Sequence, residues 1–210
     1  YPQWWVSTVY DVFRRFPIGR HIGPISAAER EQALMLLPCI PANSLTLYDR
    51  GYPSYKFLRE LQNKLPGYFM MRCSSRFTFP AVEQFIKTDK QEDIVYLRPS
   101  LSYLKETGVA GRNQLKPLKI RVIKLKSLDG TLSVVLTNLW DRKKYPSQEI
   151  IDLYAKRWEI ETYYRDEKIS LDIEQFHGQT CNSIRQELFA AAIMALISRT
   201  LMALSTEFFD

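Results

Sequence analysis

From Trp4 to Arg72 the chain alternates short β-prone runs with longer helical ones, and this alternation limits the possible folds more than any other feature. Trp4–Phe13 is β-branched and aromatic, as strands are. Pro17-Ile18-Gly19 reads as a turn, and Arg20-His21-Ile22 as the next short strand. Ser26, with Glu29 three residues on, predicts a capping box for a helix over Ala27–Leu37, which Pro38 and Pro41 end. Ser44–Tyr48 is β-prone and stops at Asp49-Arg50-Gly51-Tyr52-Pro53-Ser54. A helix over Tyr55–Lys64 and a strand over Tyr68–Arg72 follow. Strand, strand, helix, strand, helix, strand is the order of an α/β fold. In open α/β sheets the ligand crevice lies outside the carboxyl ends of the strands. Asp49 occupies such an end, although Asp is equally at home as an ordinary turn residue.

Residues 74–146 interrupt this pattern. Ile94–Leu97 reads as a strand. Leu118–Leu125 alternates, with a phase slip at Val122-Ile123 that predicts a bulge. Asp129-Gly130 then turns a hairpin into Thr131–Thr137. Lys116, Lys119, Arg121, Lys124 and Lys126 line this β-rich segment, and Arg142-Lys143-Lys144 follow it. Cations on strand faces can track a phosphate backbone. Lysines also protect exposed sheet edges, and the spacing is compatible with both uses. The expected organisation is a first part of the core over 1–73, a β-rich insertion over 74–146 and C-terminal helices over 147–210. His177-Gly178-Gln179-Thr180 reads as a loop, and Ser183 as the start of the last helix.

Net charge is +6 but unevenly spread. Residues 73–146 hold 14 basic and 7 acidic side chains, while residues 147–210 hold 6 and 11. A basic lobe beside acidic helices suits a polyanionic partner, although solvated surface lysines account for so small a net charge about as well. The three Cys, at positions 39, 73 and 181, have no metal-ligand spacing and no even count for a disulfide framework. A reducing cytoplasm is therefore the expected location. No signal peptide is visible. Leu188–Leu204 is apolar apart from Ser198, Arg199 and Thr200, which predicts a buried helix rather than a membrane span.

The stretch from Ser147 to Phe176 contains no Gly or Pro, and Ile150, Ile151, Leu153, Tyr154, Trp158 and Tyr164 recur at helical spacing. Ser147 is a plausible N-cap, with Glu149 in the first turn. At about 100° per residue, Tyr154, Arg157, Glu161 and Lys168 share a sector of roughly 60°. A carboxylate that holds a metal, beside cations that hold phosphate, has this arrangement.

The spacing Tyr154-x2-Arg157-x3-Glu161-x6-Lys168 resembles the signature of bacterial insertion-sequence transposases with a DDE catalytic triad, in particular the subgroup known for a Tyr-Arg-Glu-Lys motif. Asp49-Arg-Gly-Tyr after an apolar strand resembles the segment that carries the second catalytic Asp. The resemblance implies an RNase H-like α/β fold, a mixed sheet flanked by helices, with a β-rich insertion before the Glu161 helix. It implies cut-and-paste DNA cleavage and strand transfer at transposon ends, with two Mg²⁺ (or Mn²⁺) ions held by carboxylates. Asp49 and Glu161 would then be catalytic and metal-binding. Tyr154, Arg157 and Lys168 would contact transposon-end DNA, with Lys119, Arg121, Lys124 and Lys126 along the duplex. Trp140 would stack on a flipped base. The partners implied are DNA, both transposon ends and target, and a second copy of the protein in a synaptic complex, with no membrane.

The first Asp of the triad, expected in an Asp-Gly-Ser or Asp-Gly-Thr setting, has no counterpart here, and Asp11 aligns with the following strand. The chain also begins without Met, inside a strand, as expected of an N-terminally truncated piece that is inactive by itself. Two other readings use the same residues. One is a non-catalytic DNA-binding remnant, and the other is a globular interaction module with no nucleic-acid role.

Overall fold

The computed structural model describes residues 4–24, 28–75, 79–109, 111, 115–126, 130–171 and 177–209. They form two compact units, one of Tyr1–Cys39 with Lys156–Asp210 and the other of Ile40–Ala155.

In the first unit, β1 (Trp4–Asp11) and β2 (Phe16–Pro24) form an antiparallel hairpin. The turn falls at residues 12–15, where Asp11 accepts from the main-chain N–H groups of Phe13 and Arg14, both at 3.0 Å. Pro17-Ile18-Gly19 therefore lies inside β2 rather than forming the turn. The register shifts between Val9 and Tyr10, which places a bulge there. Helix α1 runs Glu29–Met35, with no side-chain cap from Ala28. Ser26 lies outside the described residues. The unit also contains α6 (Glu159–Leu171) and α7 (Cys181–Phe209). Thr180 rather than Ser183 caps α7: each N–H bonds the other's hydroxyl, at 3.1 Å to Thr180 and 3.0 Å to Ser183. Ile184 and Leu188 of α7 pack with Ile22 and Val6. Along the rest of the helix Phe189, Ile193, Ile197 and Leu201 are exposed, so α7 is buried on one face only.

The second unit is built on a five-stranded mixed sheet in the order β3-β4-β7-β6-β5. β3 (Leu45–Tyr48) pairs in parallel with β4 (Tyr68–Ser74), and α2 (Tyr55–Lys64) makes the crossover that parallel neighbours require. The other pairings, with β5 (Glu92–Leu97), β6 (Leu118–Lys126) and β7 (Leu132–Thr137), are antiparallel. The three strands of segment 74–146 thus join the sheet of β3 and β4. Short helices α3 (Pro80–Ile86) and α4 (Leu101–Thr107) sit in the connections.

The register of β6 runs unbroken through Val122 and Ile123, where a bulge was expected. Both residues are buried, because a central strand covered on both faces is apolar on both. Met70, Ile123, Val135 and Leu139 form a core cluster with Ile150 and Tyr154 of α5 (Ser147–Ala155). On the alternate parity Phe69, Met71, Ile120, Val122, Val134 and Leu136 are also buried.

The helix expected from Ser147 onward is not continuous. A 3₁₀ turn over Lys156–Trp158 separates α5 from α6, and the boundary between the two units falls at that turn. No helix among the described residues is long and apolar enough to cross a membrane.

Candidate functional site

Asp49 follows the last paired residue of β3, whose ladder ends at Tyr48 opposite Met71. It is half-buried. Its carbonyl accepts from the Tyr52 N–H at 3.2 Å, which closes a turn. Ser54 then caps α2, accepting from the Phe57 N–H at 3.1 Å. Tyr48, Tyr52 and Phe57 lie in mutual ring contact, with centroids 5.2–5.4 Å apart. Tyr154 belongs to the same unit. Buried in the core cluster, it donates its hydroxyl to the Tyr48 carbonyl at 2.9 Å.

β6 and the segment after β7 carry the basic residues. Lys119 is exposed, with its Nζ 5.1 Å from the ring centre of Trp140, which is 42% exposed. Exposed Tyr96 is the register partner of Lys119 on β5. Lys126 is exposed at the strand end. Lys124 bonds the Thr88 carbonyl and lies 5.3 Å from the ring centre of Phe85.

Arg121, grouped with these lysines on sequence, has a different environment and is corrected here. It is 0% exposed. Its Nε donates to Glu92 at 2.9 Å, and its terminal nitrogens donate to the same carboxylate and to the carbonyls of Leu139 and Tyr145 at 3.0 and 2.7 Å. A guanidinium so enclosed offers nothing to a phosphate. It closes the segment that presents Trp140.

In the first unit, Glu161 is 43% exposed on the outer face of α6 and pairs with Arg157 at 2.9 Å. Arg157, in the 3₁₀ turn, is mostly covered and lies 4.9 Å from the ring centre of Trp158. Arg165 and Lys168 are exposed on the Glu161 side of the helix. The opposite face is buried. Arg20 donates to Glu167 at 2.6 and 2.7 Å and to the Tyr163 hydroxyl at 2.7 Å, and that hydroxyl donates to Glu167. Burial, reinforced by the Glu167 carboxylate, pushes the Tyr163 phenol well above its ordinary value. Tyr163 stacks on Tyr10 with centroids 4.8 Å apart, and the Arg199 guanidinium lies 5.0 Å from its ring centre. Sequence reasoning singled out neither Glu167 nor Tyr163. Their i,i+4 spacing, opposite Glu161 on the helical wheel, was the available signal.

Of the expected site residues, the structure brings together Arg157 with Glu161, Lys119 with Trp140, and Tyr154 with the peptide that leads into Asp49. Asp49 and Glu161 belong to different compact units. Both are carboxylates, the hard oxygen donors that divalent Mg²⁺ and Mn²⁺ prefer, so they fit such an ion in kind. Among the described residues no group of three or more His, Cys, Asp or Glu gathers to hold a metal.

The sequence pattern of the family described as "Transposase DDE domain" matches residues 6–197. Three relatives are similar over much of the chain. "Putative transposase y4zB" of Sinorhizobium fredii (strain NBRC 101917 / NGR234) is 29% identical over 161 residues, 76% of this chain and 43% of that protein. "Transposase InsG for insertion sequence element IS4" of Escherichia coli (strain K12) is 28% identical over 171 residues, 80% and 36% respectively. "Probable transposase for insertion sequence element IS5377" of Geobacillus stearothermophilus is 29% identical over 148 residues, 64% and 37%. The chain spans less than half the length of each of these relatives. Divalent metal use is general in the matching family. With a mixed α/β sheet, flanking helices and a match over most of its length, the chain belongs to the DDE transposases of insertion sequences.

Proposed function

We propose that this chain carries DNA-binding and catalytic residues of a cut-and-paste transposase of the Tyr-Arg-Glu-Lys subgroup. The observation that carries the reading is the Arg157–Glu161 pair on α6, with Lys168 exposed on the same side of the helix. Glu161 is a partly exposed carboxylate whose nearest cation is already oriented, and Asp49 is a second carboxylate at a strand end. In this proposal Asp49 and Glu161 each give oxygen ligands to Mg²⁺ or Mn²⁺. When bound, such ions activate a nucleophile and stabilise the leaving oxygen at a phosphodiester.

The chain's own residues do the rest. Arg157 and Lys168 hold phosphates of the transposon end, Arg157 with the fork geometry that suits them. Lys119 on one face of β6, and Lys124 and Lys126 on the other, neutralise backbone charge of bound DNA, and Trp140, with Lys119 against its ring, stacks on an unpaired base. Two carboxylates leave a two-ion centre incomplete, so the chain by itself binds ends without cutting them. Cleavage needs a polypeptide that supplies a third carboxylate. Two copies meeting on paired ends, with target DNA as the acceptor, complete the proposed reaction.

A salt titration of duplex binding tests this reading. Phosphate contacts impose a linear fall of log affinity with log salt, and changing Lys119, Lys124 and Lys126 together to Ala should flatten that slope by up to about 0.9 per lost contact. An interaction module without a nucleic-acid role gives no such slope at any salt. A slope unchanged in the triple variant removes the phosphate role from these lysines and leaves them as side chains of an interior strand.

A further inference from the structure

We propose that Tyr154 is a positioning residue for Asp49, holding the Tyr48–Asp49 peptide so that the Asp49 carboxylate leaves the sheet in one fixed direction. The sequence motif placed Tyr154 beside DNA, but the geometry gives its hydroxyl another partner. The hydroxyl is buried and donates to the Tyr48 carbonyl at 2.9 Å. That carbonyl shares a rigid plane with the N–H and Cα of Asp49, so fixing the oxygen fixes the Asp49 backbone.

The bond falls at Tyr48, the last paired residue of the β3–β4 ladder. On the far side Asp49 is held by the turn bond from Tyr52 and by the ring contacts among Tyr48, Tyr52 and Phe57. Tyr154 itself cannot drift, because its ring is part of the core with Met70, Ile123, Val135, Leu139 and Ile150. The Asp49 main chain is thus braced before and after, and Tyr154 supplies the brace that comes from outside its own loop.

The inference rests on the reading of Asp49 as a metal-binding carboxylate, and one experiment separates the two. The 210-residue chain, labelled for NMR, is titrated with Mn²⁺, whose paramagnetism broadens the amide signals of nearby residues. Wild type should show broadening at Asp49 and Arg50 that Asp49→Asn abolishes. Tyr154→Phe keeps the ring in the core and removes only the donor. Partners bonded directly to a metal ligand are worth roughly 10–100-fold in affinity, so Tyr154→Phe, which acts one peptide away, should need up to about 10-fold more Mn²⁺ for the same broadening. Its Asp49 amide should also exchange faster, while amides of β4, β6 and β7 keep their protection. A purely packing role would leave the Mn²⁺ dependence at Asp49 unmoved.

Should Tyr154→Phe fail to fold, wild type carries the test. With tyrosine labelled at Cζ, a hydrogen/deuterium isotope shift resolves a slowly exchanging Tyr154 hydroxyl. Fast exchange there overturns the proposal, and slow exchange supports it. Broadening at Asp49 that is equal in wild type and Tyr154→Phe overturns the positioning role alone. No broadening at Asp49 in wild type overturns the metal reading of Asp49, and the positioning role with it.

Discussion

Arg121 lies on β6 between Ile120 and Val122, at the same strand parity as Lys119, and the alternation of the strand gave no sign that the two differ. Lys119 is near the strand end and meets solvent, whereas Arg121 is covered by the 139–145 segment and by Glu92. The difference comes from a chain segment that is distant in sequence, so it could not be read from spacing. Replacing Arg121 with Met should leave two carbonyls without their donor and Glu92 with only the longer pair to Arg142 at 3.6 Å. The cost should be about 3 kcal/mol, at the low end for a broken buried pair because Glu92 keeps 21% of its side chain exposed. Lys119→Ala should stay within about 0.5 kcal/mol, as exposed substitutions do. Urea midpoints of the two variants check both values.

At Glu161 and Arg157 the motif spacing was legible, since an i,i+4 pair follows from helical geometry alone. Glu161→Gln weakens a pair whose carboxylate is 43% exposed while Arg157 is mostly covered, and should cost about 1 kcal/mol of stability while leaving duplex affinity near wild type. Arg157→Ala should weaken duplex binding by roughly 1.5–3 kcal/mol, the size of a charge-assisted hydrogen bond. Melting temperature and binding isotherms measured together on both variants check this. A loss of binding in Glu161→Gln equal to that in Arg157→Ala would remove the division of labour proposed for this face.

Among the elements, those bounded by their own chemistry were the most legible. Helix α2 has the bounds expected from Ser54 and the residues before Leu65, and β3, β4, β6 and β7 fall within a residue or two of their β-prone runs. The misses share a cause. The break between α5 and α6 carries no Gly or Pro, and it coincides with the boundary between two units, which is a property of tertiary packing. In β2, Pro17 and Gly19 look like a turn locally. There the hairpin register decides, and a proline at the start of a strand is tolerated.

One glycine matters at this scale for its size. A Cβ on Gly67 would lie 2.2 Å from the Ser44 carbonyl oxygen, which accepts the Tyr68 N–H at 2.8 Å where β3 and β4 begin to pair. The clash is with main chain and cannot be relieved by a rotamer change. Gly67→Ala should therefore destabilise the chain by about 1–3 kcal/mol or more. Faster amide exchange along β3 than along β6 would show that the damage starts at that pairing.

For the whole molecule, charge and burial lead to a statement about pH. The basic excess sits in residues 73–146 and the acidic excess in residues 147–210, so the charges that titrate at high pH are not spread evenly. Each unit also buries a phenol. Burial raises Tyr48 in the unit of the five-stranded sheet, and burial followed by the bond to Glu167 raises Tyr163 in the unit of the hairpin. Burial raises Tyr164 as well. In the unfolded chain these phenols lose their protons near pH 10, while in the folded chain they keep them to higher pH. Between those limits the folded state binds more protons than the unfolded one, so stability falls as pH rises. This contribution is complete below about pH 10 and is lost progressively above it. Melting temperature should therefore hold between pH 7 and 9 and fall steeply beyond. Tyr163→Phe removes one of the phenols, and it should shallow the fall even if it lowers stability at neutral pH by removing the hydroxyl that Arg20 and Glu167 both bond. The two effects have opposite dependence on pH, so curves of melting temperature against pH for wild type and variant should converge as pH rises. Parallel curves would mean that the Tyr163 proton does not contribute to alkaline unfolding.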